Sequence, residues 1–218
     1  MSFCVVDSGV EPTRSDLRSC PRPHRSSPST STSNAPALLA SPPPASDPER
    51  RARYLDLVRA FGAPNTMVMD LRGEDRTFAT AAERHGTMFL CGEFGGHAGC
   101  DAGNLAIVES GLRRVLQRLG VVQDDDLAPP PRTRYLHVEG AQHYVYAPHA
   151  GVFEPAFALD DDMRAGQLAG RLFDPQKPWR APREIAFRGD GRVMCARTFA
   201  RVEASDCLAL LAAVSSLD

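Results

Sequence analysis

Met88-Phe89-Leu90-Cys91-Gly92-Glu93-Phe94-Gly95-Gly96 is an apolar run that carries a single carboxylate into a glycine-rich turn. A short apolar run closed by glycines reads as a buried strand that stops abruptly. In open α/β sheets, catalytic groups sit beyond such strand ends. Glu93 is therefore either placed for acid/base chemistry, with glycines letting backbone or ligand come close, or is a strand-end carboxylate facing solvent.

Outward from this strand, helical and extended signals alternate. Asp47 is a good N-cap, Pro48 suits a first helical turn and Glu49 favours the helix dipole. Tyr54, Leu55, Leu57, Val58 and Phe61 mark an apolar face, and Gly62 with Pro64 ends the helix. Residues 66–69 read as a strand and 78–84 as a short helix closed by Gly86. On the far side, Asp101 caps a longer helix over about residues 102–119, with Leu105, Val108, Leu112, Val115, Leu116 and Leu119 near helical spacing. This alternation predicts an α/β layer over residues 47–128.

After Pro129-Pro130-Pro131, a linker signal, the texture changes to short strands separated by turns. The expected strands are 134–138, 143–147, 151–157, 167–173, 184–188 and 192–198, followed by an apolar stretch at 207–214. Residues 132–218 thus read as a small all-β sandwich or barrel module. Residues 1–46, rich in Pro, Ser, Thr and Ala from Cys20 onward, read as a disordered low-complexity segment.

The net charge of -2 gives no reason to expect nucleic acid or an acidic membrane surface. There is no apolar run of membrane-spanning length and no signal-peptide pattern at Met1–Asp7. Six scattered cysteines lack paired metal-knuckle spacing, so reduced thiols in a cytoplasm are the simplest expectation.

Three blocks in order carry a resemblance. They are Phe61-Gly62-Ala63-Pro64; Gly92-Glu93-Phe94-Gly95-Gly96 with the helix around Glu109–Leu116; and Tyr144–Pro155 with its sequel Arg164–Gly170. Over roughly residues 47–215 the chain resembles the carboxyl-terminal part of the succinylglutamate desuccinylase and aspartoacylase family, especially its N-acetyl-diaminobutyrate deacetylases. The resemblance implies a partial zinc-carboxypeptidase-like α/β layer followed by a β module. It implies zinc-dependent hydrolysis of an N-acyl amino acid, a small-molecule substrate, with Glu93 as the general base that takes a proton from zinc-bound water and passes it to the leaving amine. Gly92 replaces the family's usual Thr, and Phe94 its usual Leu.

The family's zinc ligands, a His and Glu from an early motif and a later His, would lie before Asp47. That region has one histidine, His24, and Asp16-Leu17-Arg18 puts an always-charged Arg where the later ligand belongs. The expectation is a truncated or frame-disrupted member with no assigned metal ligand, whose half-sheet leaves an open edge and an exposed apolar face. The alternative is a catalytically inactive interaction or regulatory module derived from the family.

Other groups have plainer readings. Cys91, His97, Cys100 and Asp101 could in principle bind a metal, but Cys91 reads better as a strand residue and Asp101 as a helix cap. His149 reads as a turn histidine, and His143 as sharing the face of Val145 on a strand that also carries Tyr144 and Tyr146. Asp160-Asp161-Asp162 reads as a solvated turn without calcium-loop spacing. Lys177, the only lysine, lies in a proline-bounded loop rather than the hairpin of a biotinyl or lipoyl carrier, and no Gly-x-Ser-x-Gly elbow is present.

Overall fold

The structure, a computed structural model, describes residues 2–7, 32–40, 47–68, 78–96, 101–138 and 140–215. They form a mixed α/β fold with two sheets and few helices, and not a barrel. In chain order the elements are β1 (Ser2–Asp7), β2 (Thr32–Ala40), α1 (Pro48–Phe61), β3 (Asn65–Val68), α2 (Phe78–Arg84), β4 (Met88–Gly95) and α3 (Ala102–Arg118). They continue with β5 (Arg134–His137), β6 (Tyr144–Tyr146), β7 (Gly151–Pro155), β8 (Asp162–Met163), β9 (Leu168–Phe173), β10 (Arg183–Ala186), β11 (Gly191–Arg197), β12 (Arg201–Val202) and β13 (Cys207–Val214).

The helix ends follow their caps. Asp47 accepts a hydrogen bond from the Arg50 amide at 3.2 Å, and Gly62 closes α1 in the left-handed region at φ 67. Asp101 accepts from the Asn104 amide at 2.9 Å to start α3. No helix among the described residues is long and apolar enough to cross a membrane.

One sheet runs β1-β4-β2-β3-β5-β13-β11-β8, with β6 also on β13. The other is β10-β9-β7-β12. The first therefore crosses the proline linker: β5 pairs in parallel with β3 and antiparallel with β13. The expectation of a sandwich or barrel standing apart after residue 132 is corrected here, because β5, β6, β8, β11 and β13 complete the sheet that holds β4. Parallel pairing between distant strands is a tertiary choice that local turn spacing does not encode. The two-residue strands β8 and β12 are too short to show any periodicity.

Within the segment expected to be disordered, residues 2–7 and 32–40 are described, and these depart from that expectation. Two stretches of this segment are strands, and β2 is central, between β4 and β3. Small apolar residues fit the slot: Ala35, Ala37, Leu38 and Ala40 are all buried. Backbone pairing on both sides then satisfies the strand's polar groups. Pro36 cannot donate to the ladder, and the register shifts between Asn34 and Ala37. The Pro36 carbonyl instead accepts from the Asn65 side-chain amide at 3.2 Å. β4 itself is paired on both sides, by β1 and by β2, and β1 ends the sheet among the described strands.

The core lies on both faces of this sheet. On one, Tyr54, Leu57, Val58 and Phe61 of α1 and Val108 and Val115 of α3 cover Leu38, Ala40, Met88, Leu90 and Phe94. On the other, Ala35, Ala37, Met67, Leu136, Met194 and Ala212 pack together, with Leu39, Cys195 and Leu210 against them.

Candidate active site

Burial along β4 alternates strictly. Met88, Leu90, Gly92 and Phe94 are buried, and Phe89, Cys91, Glu93 and Gly95 are half-buried. Phe94 is tied to the helical face through Phe61, ring centroids 5.8 Å apart. The strand's period of two then turns Glu93 to the opposite face. There it is directly across from buried Ala37 of β2. Gly95, at φ 89, ends the strand in a conformation that suits glycine, and a Cβ there would sit 3.2 Å from the Asn104 side chain in the first turn of α3.

One residue of β11, Cys195, feels the Glu93 charge, and residues of β13 and β6 in turn lie near Cys195. Cys195 packs on the cluster that contains Ala37, and burial together with the Glu93 and Cys207 charges pushes its thiol up to about 12. The Cys207 thiol is raised chiefly by burial, although its hydrogen bond to Ala209 and the nearby Arg197 work the other way. Tyr144 is raised by burial and by Tyr146, Cys207 and Cys195. Its ring stacks on that of Tyr146 with centroids 5.8 Å apart. Arg197 and Asp206 form an ion pair at 2.8 Å, with side chains 8% and 18% exposed. Glu93 on β4, Cys195 and Arg197 on β11, Cys207 on β13 and the two tyrosines on β6 thus belong to one sheet, with β2 between β4 and β11.

Zinc, which the sequence resemblance implies, takes three or four nitrogen, sulfur or oxygen ligands. Among the described residues no group of three or more His, Cys, Asp or Glu could hold a metal ion. The Cys195 thiol, whose ionisation the Glu93 charge and burial both disfavour, is held in its neutral form, and a neutral thiol does not fit a zinc ligand. His97 and Cys100 lie outside the described residues, as do His24 and Asp16-Leu17-Arg18.

The remaining sequence candidates sit elsewhere. His149 donates from Nδ1 to the Ala150 carbonyl at 2.9 Å, a turn contact. His143 is buried at the end of a short 3-10 turn over Ala141–His143, one residue before β6, so it is not on the strand expected for it. Asp160 and Asp162 pair with Arg192 at 3.1 and 2.6 Å, and Asp161 accepts from the Ala158 amide at 2.8 Å. Lys177 lies 3.9 Å from Asp174 in the loop after β9. Sequence reading singled out neither Cys195 nor Arg197. The only available signal was an arginine at the end of an apolar strand, Val193-Met194-Cys195-Ala196-Arg197.

No family model matches the chain. It is 35% identical over 169 residues to the N-alpha-acetyl-L-2,4-diaminobutyric acid deacetylase of Halomonas elongata, covering 77% of this chain and 49% of that enzyme. Its fold matches a succinylglutamate desuccinylase/aspartoacylase from Rhodobacter sphaeroides with TM-score 0.74 and 30% identity, over 85% of this chain and 56% of the other. The product-bound ectoine utilization protein EutE (DoeB) from Ruegeria pomeroyi matches with TM-score 0.75 over 84% and 55% of the two chains, at 23% identity, which speaks for fold alone. The chain thus spans about half the length of these relatives. Over the part it shares with them, the chain is similar in sequence and fold to proteins of the succinylglutamate desuccinylase/aspartoacylase family.

Proposed function

We propose that this chain carries the proton-moving half of an N-acyl amino acid deacylase. Glu93 is its general base, and the metal ligands come from outside the described residues. Supporting this reading above all is the similarity to the Halomonas N-acetyl-diaminobutyrate deacetylase across most of the chain. The position of Glu93 at the glycine-rich end of β4 suits the role. A carboxylate there can accept a proton from an attacking water and return it to the departing amine, both within reach of one side chain. Zinc, when bound in this family, supplies the lowered pKa of that water. The protein is read as acting in the cytoplasm on a small N-acyl amino acid.

The chain alone is then a poor deacylase. Purified protein incubated with zinc, then freed of excess metal, is expected to retain far less than one zinc per chain and to leave N-acetyl-diaminobutyrate intact. Tightly bound stoichiometric zinc, together with turnover, would show that the ligands are present here after all.

A further inference from the structure

The loop between β9 and β10 holds the chain's single tryptophan out in solvent. Trp179, in Asp174-Pro175-Gln176-Lys177-Pro178-Trp179-Arg180, is 78% exposed. The loop around it is ordered. The Asp174 carbonyl accepts from the Lys177 amide at 3.0 Å, the Lys177 carbonyl from the Arg180 amide at 2.9 Å, and the Asp174 carboxylate from the Gln176 amide at 3.0 Å. Pro175 and Pro178 fix two further φ angles. At the base of the loop Phe173 ends β9 directly opposite Val152 of β7, and both are exposed. Residues 174–183 carry three cations, Lys177, Arg180 and Arg183, against one acid, Asp174. Lys177 lies 3.9 Å from Asp174, while Arg180 and Arg183 make no ion pair among the described residues.

The loop after α3 has the opposite character. Val121 is 66% exposed and Val122 is exposed beside it, and Asp124-Asp125-Asp126 follow with no cation in residues 119–131. This loop is ordered too. The Val121 amide donates to the Leu116 carbonyl at 2.9 Å, the Asp126 amide to the Asp124 carboxylate at 3.3 Å, and the Gln117 side-chain amide to the Asp124 carbonyl at 3.3 Å. Asp124 lies 3.8 Å from Arg113, whereas Asp125 and Asp126 are exposed and make no ion pair among the described residues.

We propose that the acidic loop of one copy of this chain docks on the Trp179 loop of a second copy. Val121 and Val122 cover the indole, and Asp125 and Asp126 meet Arg180 and Arg183. Like charges keep each loop off its own counterpart, so the unlike pair is selected. A two-fold axis lets both copies make the contact at once and closes the assembly as a dimer. Trp and Arg are the side chains that dominate protein interfaces, and two loops ordered in advance lose little freedom on docking. The chain's net charge of -2 argues against a polyanion such as nucleic acid as the occupant.

The test is sedimentation velocity on the full chain over a range of concentrations, with Trp179 emission read in parallel. Because the chain has one tryptophan, its fluorescence reports this loop alone. At low ionic strength the sedimentation coefficient is expected to rise with concentration and the emission to move to the blue. About 1 M salt, which shortens the Debye length to about 3 Å, is expected to reverse both. Trp179→Ser, and separately Asp125→Asn with Asp126→Asn, alter exposed side chains only, and each is expected to weaken association about tenfold or more. Mixing these two variants restores one intact contact, so the emission of the Asn variant is expected to shift when the Ser variant is added. A chain monomeric at every concentration, association that survives both sets of substitutions, or no shift on mixing would each overturn the proposal. So would a blue shift on phosphatidylserine vesicles from a chain that stays monomeric, which would assign the loop to a membrane surface instead.

Discussion

Glu93 and Cys195 show two fates for ionisable groups on one sheet face. Burial and the Glu93 carboxylate both disfavour the Cys195 thiolate, which lifts its titration to about 12. A folded-state pKa above the unfolded value means that this thiol adds stability fully below the free-thiol value of 9.0, stability that is lost as pH rises from 9.0 toward 12. At pH 8, iodoacetamide is expected to leave Cys195 unmodified in the native chain and to alkylate it after denaturation, as read by peptide mass spectrometry. Rapid native labelling would mean that the thiol is neither buried nor beside a carboxylate. The position of Glu93 was legible in the sequence because an apolar run closed by glycines has few other meanings. Its neighbour Cys195 was not, since that residue approaches it only through strand pairings from far along the chain.

At the scale of elements, caps and helical periodicity were readable and strand partners were not. Asp47, Gly62 and Asp101 end or start helices where their chemistry predicts. Their signals are local, and a cap needs nothing from the rest of the chain. The packing of α1 on α3 is less visible, and it depends on Gly111. A Cβ there would come within 2.6 Å of two Phe61 ring atoms, in a ring already fixed against Phe94. Gly111→Val is expected to destabilise the protein by about 1–3 kcal/mol through overpacking, measured as a lower urea midpoint. An unchanged midpoint would show that the helices can part without cost. Strand β2 illustrates the opposite case. Its composition argues for disorder, and only the slot between β3 and β4 makes it a strand.

For the whole molecule, β2 decides whether the sheet is continuous. It pairs with β4, β3 and β11, so it joins the strand of Glu93 to the strand that carries both Cys195 and Arg197. Removing residues 1–40 is expected to abolish cooperative thermal unfolding and to promote association, because β3 and β4 would each expose an unpaired edge. A truncated chain that melts as sharply as the full one would mean that this segment is dispensable. The central claim remains that Glu93 moves protons in an N-acyl amino acid deacylase. Its most direct test is a chimera in which the 169 matched residues replace their counterpart in the Halomonas enzyme. Zinc-dependent hydrolysis of N-acetyl-diaminobutyrate by this chimera is predicted to fall about 10²–10⁴-fold with Glu93→Gln, the usual worth of a general acid/base group. Hydrolysis undiminished by that substitution, in a chimera of unchanged circular dichroism, would contradict the account.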